Sequence, residues 1–236
     1  MENNITLYSL DGTPNCIKVT LALEELNLKY ATQTVDLRKN EQKNPWFLEI
    51  NPNGRIPAVK DGDLRIFESG AILLYLADKY DTNHKISYPH GTNEYYEMLS
   101  WVMFQMGGVG PMQGQANHFR LAAKVRSDYA IDRYMQETKR LYSVLESRLE
   151  THDWLAGTRY TIADIASFAW VRNAELIELD LQAFPNVKKW VEKIEGREAA
   201  KRGVSLPPDV KSAQERRDMF AAMRSRIDGL GNMDKL

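Results

Sequence analysis

The spacing of apolar positions over the first 80 residues predicts alternating strands and helices. Ile5 to Ser9 is a short run typical of a strand. From Pro14 to Leu26, apolar residues recur at helical spacing, and Tyr30 to Leu37 is rich in residues that favour strands. This strand–helix–strand order requires a parallel strand pair joined by a crossover.

A second group of elements is predicted before residue 81. Pro45 to Ile50 is a candidate short helix. Ala58 to Lys60 and Leu64 to Phe67 flank Asp61-Gly62-Asp63 and are expected to form a β-hairpin. The apolar spacing from Ser69 to Tyr80 predicts a helix that packs on this sheet.

After the polar segment that ends near Asn93, only helical patterns follow. Thr161 and Asp164 have the spacing of a capping box at one helix start. The predicted helices are Glu94 to Gln105, interrupted by the glycine-rich run 107–111, then Tyr129 to Leu149, Ile162 to Ile177, and Pro185 to Ile194. We therefore predict an α/β domain at residues 1–82, a linker at 83–92 and an all-α domain at 93–236, with a charged tail from Lys211.

Composition narrows the class of protein. Hydrophobic residues make up 43% of the chain, so most of it is expected to fold. A net charge of -1 argues against a general nucleic-acid-binding protein. Cys16 is the only cysteine, which excludes an internal disulfide and fits a reducing compartment. Because no apolar run reaches about 18 residues, we expect no membrane span and a cytoplasmic protein.

The helix start Thr13-Pro14-Asn15-Cys16 poses the first chemical question. Thr13 suits an N-cap and Pro14 the first helical turn, so a plain helix start with a buried cysteine explains the run. A helix N-terminus also favours a thiolate. Cys16, however, lies inside the helix, where its side chain is expected to turn inward and be inert. The reactive thiol could then come from a ligand.

Two further segments allow a structural or a functional interpretation. Pro57 opens a strand, and a cis bond after Ile56 would present the Ile56 backbone to a ligand, whereas a plain turn is the alternative. Ser69 is an N-cap candidate that follows Glu68. The pair either caps a helix or clamps a zwitterion, with Ser69 and helix N–H groups on the carboxylate and Glu68 on the ammonium.

Metal and phosphate sites are not expected. The four histidines, His84, His90, His118 and His152, lack the spacing of metal ligands. The glycine run 107–110 lacks the Lys-Ser/Thr pair that completes a phosphate loop.

Taken together, these segments resemble the glutathione transferase family over residues 5 to about 203. RIPAV, FESGAILLYLADKY and YTIADIA carry the resemblance. TPNCIKVTLALEEL and FQMGGVGPMQGQANHF are similar to the branch that contains a fungal nitrogen-catabolism regulator and bacterial disulfide-bond reductases. The resemblance implies a thioredoxin-like N-terminal domain of order βαβ-ββα, a helical C-terminal domain, and a homodimer.

The resemblance also implies glutathione as a substrate, with no metal. Asn15 and Thr13 are then expected near its sulfur, ahead of Tyr8 and Ser9, whose positions other branches use. The residues implied in binding glutathione are Gln42, Arg55, Ile56, Pro57, Glu68, Ser69 and Arg133. The candidates for a second, apolar substrate are Phe104, Met112, His118, Phe119 and Trp170, although core packing is the competing explanation for most of them.

The expected function is therefore a glutathione-dependent enzyme. Donors on Asn15 or Thr13 would stabilise the thiolate and lower its pKa. The thiolate would attack an electrophilic carbon, a peroxide or a disulfide, and the sequence does not separate these reactions. The alternatives are a glutathione-binding regulatory protein with weak catalysis and an interaction module of a translation-factor complex.

Overall fold

A four-stranded sheet organises the N-terminal part of the computed structural model, which describes residues 4–205. The strands are β1 (Ile5–Ser9), β2 (Tyr30–Thr34), β3 (Ala58–Asp61) and β4 (Leu64–Phe67). Their order is β2-β1-β3-β4, with β1 parallel to β2 and antiparallel to β3, and β3 antiparallel to β4. The predicted crossover and hairpin are both confirmed.

The helices of this part are α1 (Pro14–Glu25), the short α2 (Pro45–Leu48) and α3 (Ser69–Tyr80). α1 is the crossover between β1 and β2, and every residue from Cys16 to Leu23 is buried. It packs against α3 on one side and against α7 and α9, defined below, on the other. Because α1 is covered all round, any polar side chain on it needs a partner inside the protein.

The rest of the described chain is helical. Its helices are α4 (Asn93–Phe104), α5 (Gly110–Leu121), α6 (Asp128–Thr151), α7 (Ile162–Val171), α8 (Pro185–Glu195) and α9 (Glu198–Gly203). α7 is the most buried, and of its residues only Trp170 is not fully covered. Within residues 4–205, none of the helices is long and apolar enough to cross a membrane. The predicted arrangement, an α/β part followed by an all-helical part, is confirmed.

Two predicted features differ from the structure. The glycine-rich run does not interrupt the helix, because Gln105–Val109 forms a π-helical turn that leads directly into α5. A Cβ on Gly108 would lie 3.1 Å from Leu141 on α6, so glycine here permits close packing rather than a break. The helix from Ile162 ends at Val171, and Ala174–Ile177 is a separate 3₁₀ turn.

The early end of α7 has a local cause. The Asn173 side chain donates to the Ala169 carbonyl at 3.3 Å, which is the competition with helical bonds that asparagine favours. α9 was not predicted from the sequence pattern. The tail from Lys211 lies outside the described residues, and the domain boundaries at residues 82 and 92 stay a prediction.

The predicted capping box at the start of α7 is confirmed. The Ala163 N–H donates to Thr161 Oγ1 at 3.2 Å, and the Thr161 N–H donates to Asp164 Oδ2 at 2.9 Å. Asp164 also accepts from the Leu155 N–H and from Trp190 Nε1, each at 3.0 Å. This carboxylate therefore joins the loop before α7, the start of α7 and α8.

We predict that Asp164→Asn lowers the free energy of unfolding by about 1–3 kcal/mol. The NH₂ group of asparagine would face an N–H group that now donates to the carboxylate, so two donors would meet without an acceptor. Burial raises the pKa of Asp164 to about 6, against the opposing effect of its hydrogen bonds, so urea unfolding at pH 8 tests the ionised form. Asp132→Asn, at an exposed position of α6, is the control and is expected to stay within about 0.5 kcal/mol of wild type. Equal stabilities of the two variants would contradict the prediction.

Candidate active site

The start of α1 holds the cysteine away from solvent. Cys16 is 1% exposed, as the sequence predicted. Burial raises the pKa of its thiol to about 11, and hydrogen-bonding contacts with Thr13 and the Leu10 backbone offset only part of this effect. A thiol with that pKa is almost entirely protonated at pH 7. Cys16 is therefore not suited to act as a nucleophile.

Asn15 is held by a residue of the helical part. Its Oδ1 accepts a hydrogen bond from Trp170 Nε1 on α7 at 2.9 Å. An indole N–H can only donate, so the amide atom facing it must be the oxygen. The Asn15 NH₂ group is consequently the end that faces away from Trp170.

Thr13 is the N-cap of α1, and its side chain has a different bond from the one predicted for a cap. Thr13 Oγ1 donates to the Leu10 carbonyl at 2.8 Å rather than accepting from the first turn of the helix. Because a threonine hydroxyl has one hydrogen, this bond occupies the donor that a ligand sulfur would need.

Glu68 and Ser69 lie at the start of α3, with one correction to the prediction. The N-cap position belongs to Glu68, and Ser69 is the first helical residue. Glu68 has φ 69° and ψ 116°, a region that costs a non-glycine residue about 1–3 kcal/mol. Its side chain is exposed and receives a 3.4 Å contact from Asn53 Nδ2, whereas Ser69 is 3% exposed. Strain of this kind concentrates at binding sites.

The Ile56–Pro57 bond before β3 is cis, the alternative that would present the Ile56 backbone to a ligand. Ile56 packs against a small cluster of buried residues. That cluster contains Tyr8, which is only 7% exposed, while Ser9 is fully buried. Both alternatives for the sulfur-binding role are therefore less accessible than Asn15.

The loops at residues 42 and 54 approach each other closely. Gly54 has φ +60°, and a Cβ there would lie 2.8 Å from the Gln42 carbonyl oxygen. Lys43, which the sequence analysis missed, donates to the Asn53 carbonyl at 3.1 Å. Arg55 follows Gly54 in the chain and is exposed. The two loops thus bring Gln42 and Lys43 next to the segment that contains Arg55, and cationic side chains suit a carboxylate.

The remaining predicted site residues lie in the helical part. Arg133 is exposed on α6, one turn before Glu137. Among the second-substrate candidates, Phe104, Met112 and Trp170 pack against the main core. Phe119 stacks on Tyr134 with ring centroids 5.6 Å apart, and His118 is exposed next to it. The binding roles of these residues stay predictions.

Lys18 is the main residue that sequence reasoning missed. Its side chain is 1% exposed, and its Nζ donates to Ser69 Oγ at 3.2 Å, Gln105 Oε1 at 2.5 Å and Met106 Sδ at 3.4 Å. Burial lowers the pKa of Lys18 to about 7, with the Glu68 carboxylate acting in the opposite direction. The available signal was its position as the only charged residue in the buried run from Cys16 to Leu23.

Comparisons with known proteins agree with this arrangement. Residues 3–78 match the family model of the glutathione S-transferase N-terminal domain, and residues 112–198 match that of the C-terminal domain. The disulfide-bond oxidoreductase YfcG of Escherichia coli is 48% identical over 79% of this chain and 88% of its own length. Glutathione S-transferase 1 of Schizosaccharomyces pombe is 41% identical over 83% of this chain and 93% of its own.

A solved structure shows the same fold. The glutathione transferase homolog from Lodderomyces elongisporus, described with two GSH per subunit, superposes with a TM-score of 0.84 at 44% identity. The match covers 87% of this chain and 99% of that one.

We predict that Cys16 reacts with a thiol reagent only when the protein unfolds, because its thiol is both buried and protonated. At pH 7.5, less than about a tenth of one thiol per chain should react with iodoacetamide in the time that free cysteine needs for completion. One thiol per chain should react in 8 M urea. Rapid stoichiometric labelling of the native protein, counted by mass spectrometry, would contradict this assignment.

Proposed function

This chain belongs to the glutathione S-transferase family, and from that premise we propose that it is an enzyme that reduces disulfides with glutathione, with Asn15 stabilising the attacking thiolate. The observation that carries the proposal is the pairing of a buried, protonated Cys16 with an Asn15 amide whose NH₂ group is turned away from Trp170. The protein supplies a donor and no usable thiol of its own. The sulfur that reacts is therefore that of glutathione.

Asn15 is the better donor of the two residues at the start of α1. The Thr13 hydroxyl is bonded to the Leu10 carbonyl, whereas the Asn15 NH₂ group keeps its hydrogens for a ligand. A hydrogen bond to a thiolate favours the charged form and lowers its pKa, and each unit corresponds to about 1.4 kcal/mol. The N-terminus of α1 acts in the same direction.

The two ends of glutathione are assigned to the two other groups of residues. Glu68 receives the γ-glutamyl ammonium, while Ser69 and the N-terminus of α3 receive its carboxylate. Ile56, before Pro57, pairs with the cysteinyl backbone. The glycine carboxylate is assigned to the loop edge that contains Gln42, Lys43 and Arg55, and Arg133 approaches from α6.

The reaction uses two glutathione molecules in sequence. The first thiolate attacks one sulfur of the disulfide, so that a mixed disulfide forms and one thiolate leaves. A second glutathione thiolate attacks the glutathione sulfur of the mixed disulfide, which releases the other thiolate and glutathione disulfide. The two glutathiones supply both electrons. The name of YfcG and the two GSH per subunit in the Lodderomyces homolog support this reaction over conjugation and peroxide reduction.

The proposal includes a homodimer in the cytoplasm. The dimer follows from the family resemblance, and the compartment follows from a single cysteine and a need for reduced glutathione.

We predict that Asn15→Ala lowers kcat/KM for glutathione-dependent reduction of hydroxyethyl disulfide by about 100-fold, the usual loss for one donor to a reacting anion. The kcat/KM of Thr13→Val should fall by less, because the Thr13 hydroxyl already donates to the Leu10 carbonyl. Cys16→Ser is the matched control and should stay within about twofold of wild type. Coupled assays with glutathione reductase give these rates, with parallel assays on an aryl halide and a hydroperoxide.

Three results would overturn the proposal. The first is near-complete loss of activity in a folded Cys16→Ser variant. The second is full activity in Asn15→Ala. The third is wild-type turnover of the aryl halide or the hydroperoxide that exceeds turnover of the disulfide.

Trp170→Phe tests whether the indole fixes the Asn15 amide. The substitution keeps an aromatic ring, but the donor to Asn15 Oδ1 is lost, so the amide is free to rotate and kcat should fall about 5- to 10-fold, equivalent to one hydrogen bond. Trp101→Phe, where the indole packs beside Phe104 in the helical part, is the control and should keep wild-type kcat. An unchanged kcat in Trp170→Phe would show that the amide needs no such anchor.

A further inference from the structure

We propose that Lys18 is a positioning residue for the γ-glutamyl end of glutathione: its buried ammonium turns the Ser69 hydroxyl toward the ligand carboxylate and supplies positive charge behind it. This inference rests on the proposed binding of glutathione at Ser69. It assigns a role to a residue that neither the sequence motifs nor the mechanism above required.

The geometry leaves the Lys18 charge without an anionic contact. Its three N–H groups point to Ser69 Oγ, Gln105 Oε1 and Met106 Sδ, and none of these partners carries a charge. A buried ammonium is costly unless an opposite charge compensates it. A carboxylate bound in front of Ser69 would lie one hydroxyl group away from Lys18 and supply that charge.

The Ser69 hydroxyl is set up to donate to such a carboxylate. Its oxygen accepts from Lys18, which leaves its single hydrogen for another acceptor. The acceptor recorded for that hydrogen is Met106 Sδ at 3.6 Å, and a thioether is a weak acceptor. A carboxylate oxygen is a much stronger one. If Lys18 were neutral, its lone pair could accept the Ser69 hydrogen and turn it away from the ligand.

The charges around Lys18 favour its titration near neutral pH. The carboxylate of Glu68, the residue before α3, favours the charged form of Lys18, and burial disfavours that form more strongly. Ser69 on α3 and Gln105 and Met106 in the π-helical turn do not titrate in this range. Arg197, the residue before α9, pairs with Glu25, and Arg202 on α9 pairs with Glu24. Both pairs lie at the end of α1 that is far from Lys18.

The sign of the pH dependence follows from this arrangement. A bound carboxylate favours the charged form of Lys18, so binding raises the pKa of Lys18 from its unliganded value of about 7. The protein should therefore take up a proton when it binds glutathione near neutral pH. The affinity should be highest below the unliganded pKa and fall as the pH rises through it.

Calorimetric titration with S-methylglutathione tests this role, because the methyl group removes the thiol from the proton balance. Binding is measured in two buffers of different ionisation enthalpy between pH 6 and 8.5. We expect wild type to take up roughly 0.3–0.8 proton at pH 7.5. Lys18→Met should take up less than about 0.1 proton and bind roughly tenfold more weakly. Lys29→Met, at an exposed lysine just after α1, should match wild type.

The outcomes separate this inference from the proposed function. If wild type binds S-methylglutathione without proton uptake, or if Lys18→Met keeps the wild-type uptake, the role of Lys18 is wrong and glutathione binding stands. If wild type does not bind the ligand at all, the proposed function fails and this inference fails with it. Should Lys18→Met not fold, Lys18→Gln, which keeps a donor for Gln105, replaces it in the same comparison.

Discussion

The placement of the assigned site residues depends on how the first two turns of α1 are fixed between the sheet-containing part and the helical part. Two hydrogen bonds contribute to this: Asn15 accepts from Trp170 on α7, and Lys18 donates to Gln105 in the π-helical turn. Lys18 also donates to Ser69 on α3. A buried polar group that loses its partner costs about 1–3 kcal/mol, and more if it is charged. The two halves of the chain are therefore held in one arrangement, and so are the residues assigned to the sulfur and to the carboxylate of glutathione.

This arrangement explains how a chain with a single, inert thiol can carry out thiol chemistry. The cysteine fills space on α1, and in the proposed mechanism the reacting sulfur belongs to glutathione. The residues assigned to bind it are groups that stabilise anions: an oriented amide, two helix N-termini and a buried ammonium. The strained backbone of Glu68 places a carboxylate beside these positive groups, which suits a ligand end that carries both charges.

Local features of the structure could be predicted from the sequence, and features that depend on long-range contacts could not. The strands, α1 and the capping box of Asp164 follow from spacing within a few residues. The cis bond at Pro57 was one of two alternatives that the sequence left open, beside a plain turn. Lys18 contacts residues 51 and 87 positions away, and Asn15 bonds a residue 155 positions away. No periodicity signals such contacts, so Lys18 and the bond between Trp170 and Asn15 were missed.

The most direct test of the account is the pKa of the glutathione thiol when it is bound. Ultraviolet absorbance of the thiolate can be followed against pH in wild type and in Asn15→Ala, each saturated with glutathione. If Asn15 stabilises the thiolate, the pKa in wild type lies below the value of about 8.5 for a free thiol, and Asn15→Ala raises it by about one unit or more. The same pKa in both proteins would contradict the central role of the Asn15 amide.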